Sequence, residues 1–172
     1  MTKKLMIAAL ALVAATGMAS AQDKLNDLEI AHAAYTADVI DIRYAHIALA
    51  ISDTPAIRKF AEAMISDHTA VNEGAGALLK KLNAAPQDNA FSQALLKGAA
   101  EKQAELLSLR GDAFDKAYAS NELGYHQTVN KILGETWLPI VDNAELKEFL
   151  AEALVTFKAH EAHAGLIAKM AK

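Results

Sequence analysis

Between Ile57 and Leu82 the residues Ile57, Ala61, Met64, His68, Val71, Ala75, Leu78 and Leu82 recur at alternating steps of four and three. That spacing is the buried stripe of a long amphipathic helix, and His68 stands where a leucine is expected. A second stripe, Leu146, Leu150, Ala153, Phe157, His160, Ala164 and Ile167, again carries a histidine in line. A third, Ile30, Ala34, Ala37, Asp41, Tyr44 and Ala48, is interrupted by a carboxylate, with Asp38 one turn before it. The fourth is less sharply defined. Asp115, Ala119, Glu122, His126, Val129 and Leu133 line one side, while Phe114, Tyr118, Tyr125 and Ile132 compete to be the buried one.

The breaks between stripes define the elements. A first helix over 25–51 is stopped by Ser52-Asp53-Thr54-Pro55, where Asp53 or Thr54 can cap the next helix and Pro55 suits its first turn. A second helix covers 56–82 and ends in the loop Asn83 to Asn89. A shorter helix over 91–109, interrupted by Gly98, should pack across the outside or end of the fold. Asp112 then caps a helix running to 137, in which Gly124 and Gly134 predict close helix packing or local irregularity. A last helix over 144–170 follows the Asp142-Asn143 cap. Two short helix-to-helix turns and one long connection predict an all-α, ferritin-like up-down four-helix bundle, with an additional short helix between the second and third long ones.

Composition agrees with that pattern and adds limits. Only three prolines occur, alanine, leucine, lysine and glutamate dominate, and no useful strand-like alternation is present. There is no cysteine, so neither disulfides nor thiolate metal sites enter the account. Lys3 and Lys4, the apolar run from Leu5 to Met18, and the small-x-small Ala19-Ser20-Ala21 predict a cleaved signal peptide over 1–21, too short to be a comfortable membrane span. The expected product is periplasmic or secreted, a single domain over 22–172, with no transmembrane anchor after cleavage. Loss of Lys3 and Lys4 takes the formal charge from -4 to -6, and no basic patch is visible, which counts against nucleic acid as partner. A homo-oligomer or an envelope protein partner remains open.

Depth along the helices brings the polar interruptions together. Asp41 lies fourteen residues before Pro55 and His68 thirteen after it; His126 lies thirteen before Pro139 and His160 seventeen after Asn143. At about 1.5 Å per residue, all four sit within about one turn of a common mid-height. Imidazoles with a carboxylate suit a first-row transition metal, zinc, copper or iron, whereas calcium and magnesium want more oxygens. The candidate ligands are His68, His126, His160 and Asp41 or Glu122. Glu122 and His126 are four apart and share a side, but the spacing is one residue longer than the Glu-x-x-His of di-iron carboxylate bundles. Met64 could add a thioether and tilt the site towards copper, although packing is the commoner role of such a methionine. His32, His46 and His163 look peripheral, with His163 close enough to join. Asp67, beside His68, can cap or orient a neighbouring group.

The chain resembles, in Asp41-Ile42, in Thr54-Pro55-Ala56-Ile57-Arg58-Lys59-Phe60-Ala61, in Met64 with Asp67-His68-Thr69, in Phe114-Asp115-Lys116-Ala117-Tyr118, and in His126 and His160, the bacterial exported family catalogued as domain of unknown function 4142, a ferritin-like group. The resemblance covers nearly all of the mature chain. It implies a helical bundle and a periplasmic or envelope location, and it leaves the biochemical role open. Members often carry glutamate, an aliphatic residue and glutamate in the first helix; Asp41-Ile42-Arg43 here counts against a carboxylate-rich site in that helix. Three functions stay in play: envelope metal handling or stress protection by one bound ion, a metal-free structural or interaction protein whose histidines are satisfied by one another and by Asp115 or Tyr118, and an iron-dependent oxidase.

Overall fold

The computed structural model describes residues 24–171, so the expected signal segment lies outside the described residues. Five α-helices follow one another: α1 (Asp27–Ile51), α2 (Pro55–Lys81), α3 (Ala90–Ser108), α4 (Gly111–Lys131) and α5 (Ala144–Met170). A π-helical turn, Ile132–Trp137, continues α4. No strand occurs among the described residues, and none of their helices is long and apolar enough to cross a membrane.

Local chemistry sets the helix starts. Asn26 Oδ1 accepts from the backbone of Leu28 and Glu29 at 2.9 and 3.0 Å, and Glu29 reaches back to the Asn26 amide at 2.9 Å, a reciprocal cap that satisfies donors a helix start otherwise leaves unpaired. Asn89 and Asn143 cap α3 and α5 in the same way, each accepting from the amide three residues on at 2.9 Å. Two expected caps are absent. Gly111 adopts φ +56, a conformation that favours glycine, and α4 begins there; Asp112 therefore sits inside the first turn, not at the cap. Thr54 does stand at the cap position of α2, but its hydroxyl donates to Asp115 Oδ2 of α4 at 2.5 Å instead.

The long helices touch in a circuit, α1 on α2, α2 on α5, α5 on α4 and α4 on α1, and α3 packs mainly on α1. Being covered on two sides explains why α1 buries Ala33, Thr36 and Ile40 as well as Ile30, Ala37, Asp41 and Tyr44. Of the two glycines expected to mark close packing, only Gly134 does: a Cβ there would lie 3.3 Å from Leu154 Cδ2, whereas one on Gly124 would meet nothing within 4 Å. The irregularity expected in this helix is the π-helical turn containing Gly134.

The apolar interior is split into two clusters. One gathers Tyr44, Phe60, Met64, Phe114, Tyr118 and Ile167; the other gathers Ile30, Leu133, Trp137, Leu146, Leu150 and Phe157. On α2, α4 and α5 the polar residues fall between buried members of the two clusters, His68 between Met64 and Leu79, Glu122 and His126 between Ala119 and Leu133, His160 between Phe157 and Ala164; on α1, Asp41 follows Ile40, where the first cluster takes over from Ala33 of the second. A polar layer thus divides the core.

Candidate metal centre

Each helix delivers its polar residue to that layer because the residue lies on the buried stripe. Asp41 and Glu122 are fully buried, and His68, His126 and His160 are at most 5% exposed. The three imidazole centroids stand 5.1 to 5.7 Å apart, and Phe157 stacks on the His68 ring at 4.8 Å. All five candidate ligands are brought together. His68, His126 and His160 can each offer an atom within 4.8 Å of the others, and Asp41, Glu122 and His126 form a second such trio sharing His126.

The hydrogen bonds fix which ring nitrogens face inward. His68 Nδ1 donates to Asp38 Oδ1 at 2.7 Å, His126 Nδ1 to the Glu122 backbone carbonyl at 3.0 Å, and His160 Nε2 to Asp67 Oδ2 at 2.9 Å. Every acceptor is an oxygen without a proton to give, so each of those nitrogens carries its hydrogen outward. The opposite nitrogens, His68 Nε2, His126 Nε2 and His160 Nδ1, have no hydrogen-bond partner, and neither do both Asp41 oxygens and Glu122 Oε2. His68 Nε2 and His126 Nε2 do approach Asp41 Oδ2, at 2.9 and 3.2 Å, but as ion-pair distances without hydrogen-bond alignment. A tetrahedral ion with bonds of about 2.05 Å has ligand-to-ligand edges of about 3.3 Å, close to both.

The electrostatics are those of a crowded buried site. Burial alone would lower the His68 pKa, but Asp41 and Asp38 on either side carry it up to about 10. Burial works to raise Asp41, yet His68 and then His126 hold it below the ordinary carboxylate value. Glu122 is pushed well up by burial and by the Asp41 charge, which favours the protonated form of its carboxyl. Burial raises Asp38 and lowers both His126 and His160, leaving those two rings neutral. Among the described residues no lysine or arginine pairs with Asp38, Asp41 or Glu122.

Other residues named from the sequence fall elsewhere. His163 packs edge-on against Phe60, with centroids 5.0 Å apart, and His32 bonds Ser92 at 2.9 Å, so neither joins the layer. Met64 is buried within the apolar cluster next to the layer. Asp115 is engaged with Thr54, and Tyr118 has no hydrogen-bond partner, so neither satisfies a histidine. Contrary to the count against carboxylates in the first helix, α1 supplies two: Asp38 and Asp41, three residues apart, bracket His68. The orienting role of Asp67 falls on His160 of α5, because neighbours on a helix point about 100° apart.

The chain matches, over residues 12–167, the profile of the family described as domain of unknown function (DUF4142), and it belongs to that family. No curated protein and no solved structure matches it.

Proposed function

We propose that this is an exported protein, periplasmic or secreted, whose four long helices form a ferritin-like up-down bundle around one transition-metal ion. The ligands are His68 Nε2, His126 Nε2, His160 Nδ1 and Asp41, with Glu122 as a further carboxylate within reach; the ion is zinc, copper or iron. The role is envelope metal handling or stress protection, carried by a single domain after removal of the signal peptide. What supports the ligand set is one observation: each imidazole spends one nitrogen on a neighbouring oxygen and leaves the other unpartnered, and the three rings can each offer an atom within 4.8 Å of the others. Histidines that bind metals are oriented in this way by their outer hydrogen bond.

Magnitudes favour this reading over a metal-free interior. A buried polar atom left without a partner costs about 1–3 kcal/mol, and whole domains are stable by only about 5–15 kcal/mol. His126 Nε2 and His160 Nδ1, with Asp41 Oδ1 and Glu122 Oε2 beside them, would take a good part of that margin, while His68 Nε2 and Asp41 Oδ2 meet as an ion pair at 2.9 Å. A cation bound among them turns the same lone pairs into ligands. Metal analysis of protein purified without chelator is the test. About one ion per chain is expected for the wild type and almost none for a His68→Ala, His160→Ala double variant; equal and negligible metal in both overturns the proposal.

A second reading, an iron-dependent oxidase, draws on the Asp41, Glu122 and His126 trio, a second set of donors within 4.8 Å of one another that shares His126 with the first. Iron-dependent consumption of oxygen or peroxide that Glu122→Gln abolishes would favour it.

A further inference from the structure

The outer face of α5 carries a feature independent of the polar layer. Ala151, Val155, Ala159, Ala162, Leu166 and Met170 are all exposed and follow one another at steps of four, four, three, four and four. Val155, Leu166 and Met170 are 71%, 58% and 71% exposed, among the most solvated large apolar residues described. Such spacing puts the six on one side of the helix, the seam along which two helices pack.

The stripe is also symmetric about its own middle. Counting outward from the midpoint between His160 and Glu161, Ala159 matches Ala162, Val155 matches Leu166, Glu152 matches Lys169, and Ala151 matches Met170, each pair equidistant. A two-fold axis crossing α5 at that midpoint therefore lays each residue beside its match in the other copy. Alanine meets alanine at the crossing point, where small side chains let helix axes come within about 8 Å. Valine meets leucine in the next layer, and opposite charges meet beyond it. Neither Glu152 nor Lys169 has an ion-pair partner among the described residues. A parallel pairing would set Glu152 against Glu152 and Lys169 against Lys169, which like-charge repulsion disfavours.

We infer that the partner of this face is a second copy of the chain, docked antiparallel through α5 into an isologous dimer. His160 lies on the opposite side of the same helix, so the interface leaves the polar layer untouched.

Sedimentation equilibrium of the mature protein, with circular dichroism as the check on folding, tests this. The wild type is expected to be dimeric at micromolar concentration, and Leu166→Glu is expected to be a monomer of unchanged helicity. Glu152→Lys should weaken the dimer at least tenfold, and adding Lys169→Glu should restore it; because both positions are exposed, this pair decides the matter even if Leu166→Glu fails to fold. A wild-type monomer, or a dimer indifferent to Glu152→Lys, overturns the inference, as does one in which the double reversal is no better than the single.

Discussion

His68 Nδ1 donates to Asp38 Oδ1 at 2.7 Å with both side chains buried, and this bond leaves Nε2 of the same ring turned towards Asp41. Asp38 therefore governs a direction more than it adds a charge. It stands to His68 as the Glu122 carbonyl stands to His126 and Asp67 to His160.

If those outer oxygens hold the rings, removing one should loosen the ion without emptying the site. Asp38→Ala and Asp67→Ala are each expected to weaken metal affinity by about 10- to 100-fold, the usual effect of losing an orienting partner. Competition against a chelator of known affinity measures it. Affinity unchanged in both variants would mean that packing alone, such as Phe157 against His68, sets the ring orientation.

Protons should leave as the ion enters. In the metal-free protein His68 titrates near 10 and is an imidazolium at neutral pH, so its Nε2 must give up a proton to become a ligand. His126 and His160, both shifted down, are already neutral and release none; Glu122, shifted up, adds a second proton only where its carboxylate joins the ion. Apparent affinity should accordingly rise by about tenfold per pH unit between neutrality and the His68 pKa, the linkage expected for one displaced proton. Calorimetry in buffers of different ionisation heat counts the protons directly. A pH-independent affinity over that range would contradict the assignment of His68.

Much of this centre was legible in the sequence because helical rise per residue is fixed, so counting from two turns put Asp41, His68, His126 and His160 at one depth. Their stripe positions settled that they point inward. Asp38 was harder, since it lies beside the Ile30-to-Ala48 stripe and not on it, yet it faces His68 of α2. Which nitrogen of each ring faces the centre depends on oxygens contributed by other helices or by a backbone carbonyl, and residue spacing carries no record of these. Asp112 looked like a cap because a left-handed Gly111 opening the helix two residues early has no distinct signature. The π-helical turn at Ile132–Trp137 was hidden for a similar reason: the pattern announced some irregularity near Gly134 but not its kind.

The bond from Thr54 to Asp115 ties the α1–α2 turn to the start of α4, well away from the polar layer in sequence. Asp115 Oδ1 already lacks a partner, so Thr54→Val would leave both of its oxygens unsatisfied. A loss of about 1–3 kcal/mol is expected, read as a fall of several degrees in melting temperature with metal content unchanged. An unaltered melting temperature would show that water replaces the hydroxyl at no cost.

The central claim is that three imidazoles from three helices and one carboxylate from a fourth share a single ion. Diffraction from crystals of the metal-loaded protein, recorded at the absorption edge of the bound element, addresses it most directly. The account predicts one anomalous peak within about 2.0–2.2 Å of His68 Nε2, His126 Nε2, His160 Nδ1 and an Asp41 oxygen. A protein that takes up no ion, or a peak lying outside this layer, would contradict it.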